Sequence, residues 1–302
     1  MITPNSIIDL ATLTFLLILI FISIFSISFI FHFRLKTLNS SQHLRDFNSL
    51  WPTRILLVSF VLLWSLSELL RLSLPSKVLT LPQQQSLCKA YIVASQGIFQ
   101  PAFFLTLLFL VSVSLHCSNY HNTLPKALST ILLTCLPVLF LQVFFVFFSS
   151  RVSIFRNLPE IFRRDSVVLR RAGHTDRIFC AYPLFSTVVL SGFGGGFLTW
   201  FLVVCWRAVS LVINKTLRVR IFGLAFSVAF FVPAQAVCLA LSVWWKPGDA
   251  VFEVLSFVGF LSVLVCAVVG EGILVIRPMA DALVVEGTLL GATSSGKFRA
   301  VC

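Results

Sequence analysis

Glu68 and Arg71 stand three residues apart in one strongly apolar run, and Gln96 and Gln100 stand four apart in the next. Spacings of three and four place side chains on one face of a helix. Each pair therefore presents charge or amide groups to a single side. A charge at the centre of a bilayer costs about 2.5–3.5 kcal/mol on insertion scales, so such groups call for a partner or a task. Glu68, Arg71, Gln96 and Gln100 together form a candidate ligand pocket. The plainer alternative is hydrogen bonding between helices, worth only about 0.6 kcal/mol per contact in membrane proteins. Glu253, Glu271 (between Gly270 and Gly272) and Gln235 are further polar residues in apolar surroundings. Pro101 follows Gln100 and Pro233 precedes Gln235, and a proline loosens the helical ladder enough to permit a kink.

Other chemistries find no support. The chain has no G-x-S-x-G and no C-x-x-C motif, and its five histidines are scattered without zinc-ligand spacing. No catalytic residue, metal or cofactor is expected, and an enzyme is the least favoured class. Of the eight cysteines, Cys135, Cys238 and Cys266 lie within apolar runs as small hydrophobes. Cys117 and Cys205 lie near the ends of such runs, where palmitoylation is an alternative to packing. Cys302 is the last residue and cannot start a prenylation box.

The elements that position these residues are apolar stretches at about 8–33, 53–74, 90–115, 127–149, 181–206, 221–245 and 250–276. Each exceeds the ~20 residues a helix needs to cross a ~30 Å hydrocarbon core. The chain is 58% hydrophobic and 11% charged, with a mean hydropathy of +0.99, where soluble domains carry about 25% charged residues. Buried strands of a soluble protein are usually ~3–10 residues long, far shorter than these runs. The expected fold is an all-α membrane protein, a seven-transmembrane helix bundle. Residues 1–7 form a short extracellular segment and 277–302 a short cytosolic tail. Gly192 and Gly196 have the G-x-x-x-G spacing of close helix packing.

Charge sets the orientation. No Lys or Arg precedes Arg34, whereas Arg34, Lys36 and Arg45 follow the first stretch. This favours the N-terminus outside and differs from the positive leading segment of a cleaved signal peptide. Lys126, Arg277, Lys297 and Arg299 agree with it, as do Arg207, Lys215, Arg218 and Arg220, a candidate cytosolic basic surface. The fourth loop opposes it, with seven arginines from Arg151 to Arg177 against three acidic residues. The net charge of +12 comes from short loops without interleaved aromatics, so lipid headgroups rather than nucleic acid are the expected partner. Sequons at Asn39 and Asn214 fall on the expected cytosolic side. In this topology Cys88 and Cys180 both face the oxidising compartment, where a disulfide between them would tie the fourth loop across the mouth of the bundle.

Several blocks carry a resemblance. Trp51-Pro52-Thr53-Arg54 leads to Glu68-Leu69-Leu70-Arg71-Leu72, and Leu87-Cys88-Lys89-Ala90-Tyr91-Ile92-Val93 leads to Gln100-Pro101-Ala102-Phe103-Phe104. With Cys180-Ala181-Tyr182-Pro183-Leu184, Val212-Ile213-Asn214-Lys215 and Pro278-Met279-Ala280-Asp281, these resemble plant heptahelical membrane proteins regarded as candidate G-protein-coupled receptors. The resemblance covers about 45–285. It implies a seven-helix protein of the plasma membrane, coupled to a heterotrimeric G protein, and brings no ligand or catalytic residue with it. Motifs of the rhodopsin-like class are missing: the third stretch ends Ser114-Leu115-His116-Cys117, the last ends Ile276-Arg277-Pro278, and the last contains no lysine for a retinal Schiff base. Receptor-like signal sensing is the leading expectation, with a membrane scaffold or a small-molecule or ion transporter as the alternatives. Oligomeric state is not readable from these features.

Overall fold

The computed structural model describes residues 4–38, 50–73, 80–115, 123–148, 159–162, 166–169 and 177–284. Seven helices are long and apolar enough to cross a membrane. We number them α1 (Pro4–Leu38), α2 (Trp51–Ser73), α3 (Leu81–Ala94, continuing through Ser95–Phe99 to Gln100–Leu115), α4 (Thr123–Val143, extended by Phe144–Phe148), α5 (Leu184–Leu211), α6 (Lys215–Ser242) and α7 (Ala250–Glu271, continuing through Gly272–Ile276 to residue 284). The chain is thus a multi-pass integral membrane protein with an all-α transmembrane bundle. Its outer faces carry Phe21, Leu133, Phe140, Trp200, Phe222 and Trp244 exposed, a surface that only lipid covers favourably.

Successive helices pack side by side, α7 closes back on α1, and α3 runs through the middle against α2, α4 and α5. Of the most apolar window of α3, 61% is buried, against 28–39% in the other six. Polar side chains on α3 consequently point at protein, not lipid. The main core joins Leu107 and Phe104 of α3 to Trp64, Phe197, Leu224, Phe260 and Val263, and Trp64 stacks on Phe260 with centroids 5.7 Å apart.

Several helix boundaries differ from hydropathy. α3 begins at Leu81, well before 90, because Gln83, Gln84, Gln85 and Lys89 hide its first turns. Pro82 stands in that first turn, and Gln83 Oε1 accepts the Thr80 N–H at 3.1 Å. Cys88 is accordingly two turns inside the helix and fully buried, not at its tip. α7 continues through Pro278 to residue 284, so the first residues of the expected tail are helical. The fifth loop shrinks to residues 212–214: Arg207 belongs to α5, while Lys215, Arg218 and Arg220 fill the first turns of α6. Asn214 caps α6, its side-chain oxygen accepting the Thr216 N–H at 3.0 Å.

In α3 and α7 the α-helical ladder widens to a π turn at Ser95–Phe99 and Gly272–Ile276. Each of these turns ends two residues before a proline, Pro101 or Pro278, whose missing N–H interrupts the regular bonds. Between α4 and α5 lies an element that hydropathy does not reveal. Strands β1 (Ser166–Leu169) and β2 (Arg177–Cys180) pair antiparallel, with Ser166 opposite Cys180. The remaining arginines of that loop, with Arg45, Lys77, Lys297, Arg299, Cys117, Cys302 and Asn39, lie outside the described residues.

Candidate functional site

The half of the bundle beside the β-hairpin holds a buried polar network built from α2 to α6. Glu68 sits near the C-terminal end of α2 and is buried. Its Oε1 accepts the Tyr91 hydroxyl at 2.6 Å and the Ser95 hydroxyl at 3.4 Å, both from α3. Tyr91 and Tyr182 share a hydroxyl–hydroxyl bond of 3.1 Å, which carries the network to the segment between β2 and α5. Burial pushes the Tyr182 phenol above its ordinary range, so it remains a neutral hydrogen-bonding group.

Arg71 lies one turn beyond Glu68. Its Nε is 3.0 Å from Glu68 Oε2 but is not aligned as a hydrogen bond. The contact is therefore one of charge with charge, and Arg71 Cζ also lies 5.9 Å from the centre of the Tyr91 ring. Glu68 thus uses one oxygen for hydroxyls and the other for its counter-charge.

Gln96 and Gln100 do not join Glu68 directly. The π turn separates their roles. Gln96 meets Ser186 of α5, whose Oγ lies 2.7 Å from the Gln96 carboxamide and 2.5 Å from Gln142 Oε1 of α4. A hydroxyl has one proton, and Gln142 is oriented by its Nε2 bond of 3.0 Å to the Ser186 carbonyl. Ser186 therefore donates to Gln142, and the Gln96 amide, turned to present Nε2, completes the set. Gln100 Oε1 accepts the Gln235 Nε2 of α6 at 2.9 Å. Close approach makes this geometry available: a Cβ on Gly97 would lie 3.4 Å from Gln142 Cβ and Leu139 Cδ1.

These groups surround a cavity of about 20 Å³ lined by Glu68, Tyr91, Gln96, Gln100, Tyr182 and Gln235, with Trp64 and Ser256 completing its wall. That volume admits a group the size of one water molecule. Trp64 Nε1 and Ser256 Oγ are buried without a hydrogen-bond partner among the described residues. All four residues of the expected pocket, Glu68, Arg71, Gln96 and Gln100, belong to the network, and three of them line the cavity. Ser186, Gln142, Trp64 and Ser256 were not singled out from the sequence, and Tyr91 and Tyr182 entered only as members of the blocks that carry the resemblance. Gln142 could have been found by the same rule that flags a polar residue in a span. The tyrosines could have been found by scarcity, since only three accompany 32 phenylalanines.

Cys88 and Cys180 are joined by a disulfide with a Cα–Cα distance of 5.4 Å. It fastens the last residue of β2 to α3 one turn before Tyr91, directly over the network. At the other end of the bundle Arg207, Lys215 and Arg218 are exposed, while Arg220 is engaged by Asp281 of α7. The expected basic surface therefore separates into three exposed cations and one tie between helices. Glu271 is fully buried in that half and takes the hydroxyls of Ser23 at 2.9 Å and Ser26 at 3.4 Å, binding α7 to α1. Among the described residues no three His, Cys, Asp or Glu side chains gather as metal ligands would.

Residues 3–289 match a protein family described as Uncharacterised conserved protein UCP031277. No curated protein matches the chain.

Proposed function

The chain belongs to this family, and we propose that it acts as a receptor-like sensor, passing a signal from the disulfide-bearing side of the membrane to a cytosolic G protein. One observation carries the reading. Three sets of buried polar contacts, each anchored on α3 around one cavity, tie α3 to α2, α4, α5 and α6 beneath a hairpin fastened to α3. Such a network has few arrangements, so a group entering at Glu68, Gln96 or Gln100 would favour one packing of α3 against α5 and α6 over another. Beyond it, Phe103, Leu107, Cys266 and Ala267 are buried apolar residues, which suits a lever better than a passage. The disulfide suits an oxidising exterior. In this proposal the N-terminus and hairpin lie outside the cell and Arg207, Lys215 and Arg218 inside, facing an acidic partner or anionic headgroups. The plasma membrane, and kinship with the plant candidate receptors named above, belong to the same proposal.

Two measurements test it. Epitope tags at each end and in the hairpin loop, read in intact cells, should show the N-terminus and hairpin accessible and the C-terminus shielded. Purified protein in nanodiscs should then bind a G-protein α subunit at moderate salt, and Arg218→Glu should reduce that binding. A cytosolic hairpin, or binding that vanishes with modest salt, sinks the receptor reading.

A further inference from the structure

A second, larger space adjoins the polar cavity. Between α5 and α6 runs a groove of about 220 Å³ walled by Phe104, Leu190, Phe193, Leu198 and Val232. Its floor includes Gly194 and Gly195, where no side chain fills the space, and Pro233 and Val237 stand exposed at its rim. The rim lies on the helix faces that meet lipid. Gln235 lines this groove and also lines the polar cavity. Its bond to Gln100 is thus the partition between an apolar space open to the bilayer and a polar space inside the protein.

Apart from Glu68 Oε2, which faces Arg71, two atoms in the inner space find no hydrogen-bond partner among the described residues. Trp64 is 98% buried and Ser256 91% buried, yet Trp64 Nε1 and Ser256 Oγ make no hydrogen bond. An indole N–H only donates, and a serine hydroxyl does either. A group completing them must accept from Trp64. The Glu68–Arg71 pair is internally neutralised, so neither a cationic nor an anionic head would gain an uncompensated counter-charge there. With room for about one water-sized group, the head is as small as a hydroxyl.

We propose that the groove and cavity together bind an uncharged single-chain lipid with a small hydroxyl head, such as a long-chain alcohol, entering sideways from the bilayer between α5 and α6. The hydroxyl accepts the Trp64 N–H and donates to Ser256 or to the freed Gln100 oxygen, and the chain lies over Gly194 and Gly195. Entry swings Gln235 aside and releases α6 from α3, two residues beyond Pro233, where the helix is already weakened. This rests on the receptor-like reading for its consequence, but not for the binding itself.

The test is photolabelling of the full-length protein in nanodiscs with a hexadecanol that carries a mid-chain diazirine. Label should map to peptides around 190–198 and 232–237. Unlabelled hexadecanol should displace it, and hexadecane should not. Gly195→Trp fills the groove from a position whose Cβ meets nothing within 4 Å and should abolish labelling. Gly223→Trp, at an exposed and equally unobstructed site on α6, should leave it intact. Trp64→Phe and Ser256→Ala should each weaken hexadecanol competition about fivefold, the effect of one neutral hydrogen bond. Labelling spread over all lipid-facing helices, equal displacement by hexadecane, or competition untouched by both polar variants overturns the proposal. Specific labelling without G-protein binding removes the receptor reading and keeps the lipid site. G-protein binding without specific labelling does the reverse.

Discussion

Removing the Cys88–Cys180 bridge through Cys88→Ser with Cys180→Ser should cost about 4 kcal/mol. The bridged residues are 92 apart in sequence, but the closed loop is not a free chain of that length. α3 beyond Cys88 and α4 stay helical and inserted whenever the chain is in a bilayer, because their backbone groups find no other partners there. Only the segments outside these helices, roughly 40 residues, gain freedom when the bond is absent, and the loop-closure expression then gives about 4 kcal/mol at 25 °C. For a protein of this size that corresponds to a fall in melting temperature of roughly 6 °C. The assay is thermal unfolding in nanodiscs, with and without reductant. Each single variant should match the double variant, since either removes the whole bond and the residues act as one unit. Reductant should lower the wild type to the same temperature and leave the variants unchanged. A double variant melting within 2 °C of the wild type would refute the reasoning, because the hairpin would then not depend on α3 for its position.

Glu68→Gln leaves the Arg71 guanidinium buried without its counter-charge and should destabilise by about 3–5 kcal/mol, whereas Glu68→Gln with Arg71→Met should recover most of that loss in the same melt. Gly97→Leu drives a side chain into Gln142 and Leu139, and overpacking of this kind should cost about 1–3 kcal/mol; Gly195→Leu, which meets nothing, should cost under 1 kcal/mol in parallel.

The legible and illegible parts of this molecule divide along a physical line. Span length and charge are local properties, so the seven helices could be read directly, as could the fact that Glu68 and Arg71 share a face. Cys88 and Cys180 could be paired only because the topology put both on one side. What escaped depends on distance across the fold. Gln96 and Gln100 are four apart, the spacing of a single helical face, yet across the π turn before Pro101 one reaches Ser186 of α5 while the other reaches Gln235 of α6. The periodicity of 3.6 does not survive that turn. Tyr182 falls within the fifth apolar stretch, whereas it stands in the short segment between β2 and α5; β1 and β2, at four residues each, are too short to register as strands in a chain dominated by long apolar runs. The early start of α3 was hidden by glutamines that cap and flank a helix end rather than cross the membrane.

Glu271 decides between a sensor and a proton carrier. It is the buried carboxylate of the far half, and a carrier would need a route from Glu68 to it. Val263 is the last residue of α7 to line the polar cavity, and Glu271 lies eight residues further on, about 12 Å along a helix that rises 1.5 Å per residue. Proton transfer along hydrogen bonds proceeds between groups about 3 Å apart. The interval instead contains Cys266 and Ala267 on α7 and Phe103 and Leu107 on α3, all buried. It is tightly closed: a Cβ on Gly270 would stand 3.0 Å from Leu107 Cδ1. Glu271 accordingly serves as the acceptor that holds Ser23 and Ser26 of α1 through its two oxygens; a carboxamide can keep one serine on its oxygen and donate its NH2 to the hydroxyl of the other. Glu271→Gln should therefore cost only about 1 kcal/mol, and proton flux into proteoliposomes under an imposed gradient should stay at the protein-free level for both wild type and variant. Flux well above that level in the wild type, abolished by Glu271→Gln, would mean that the apolar layer opens and that the polar network is one end of a pathway.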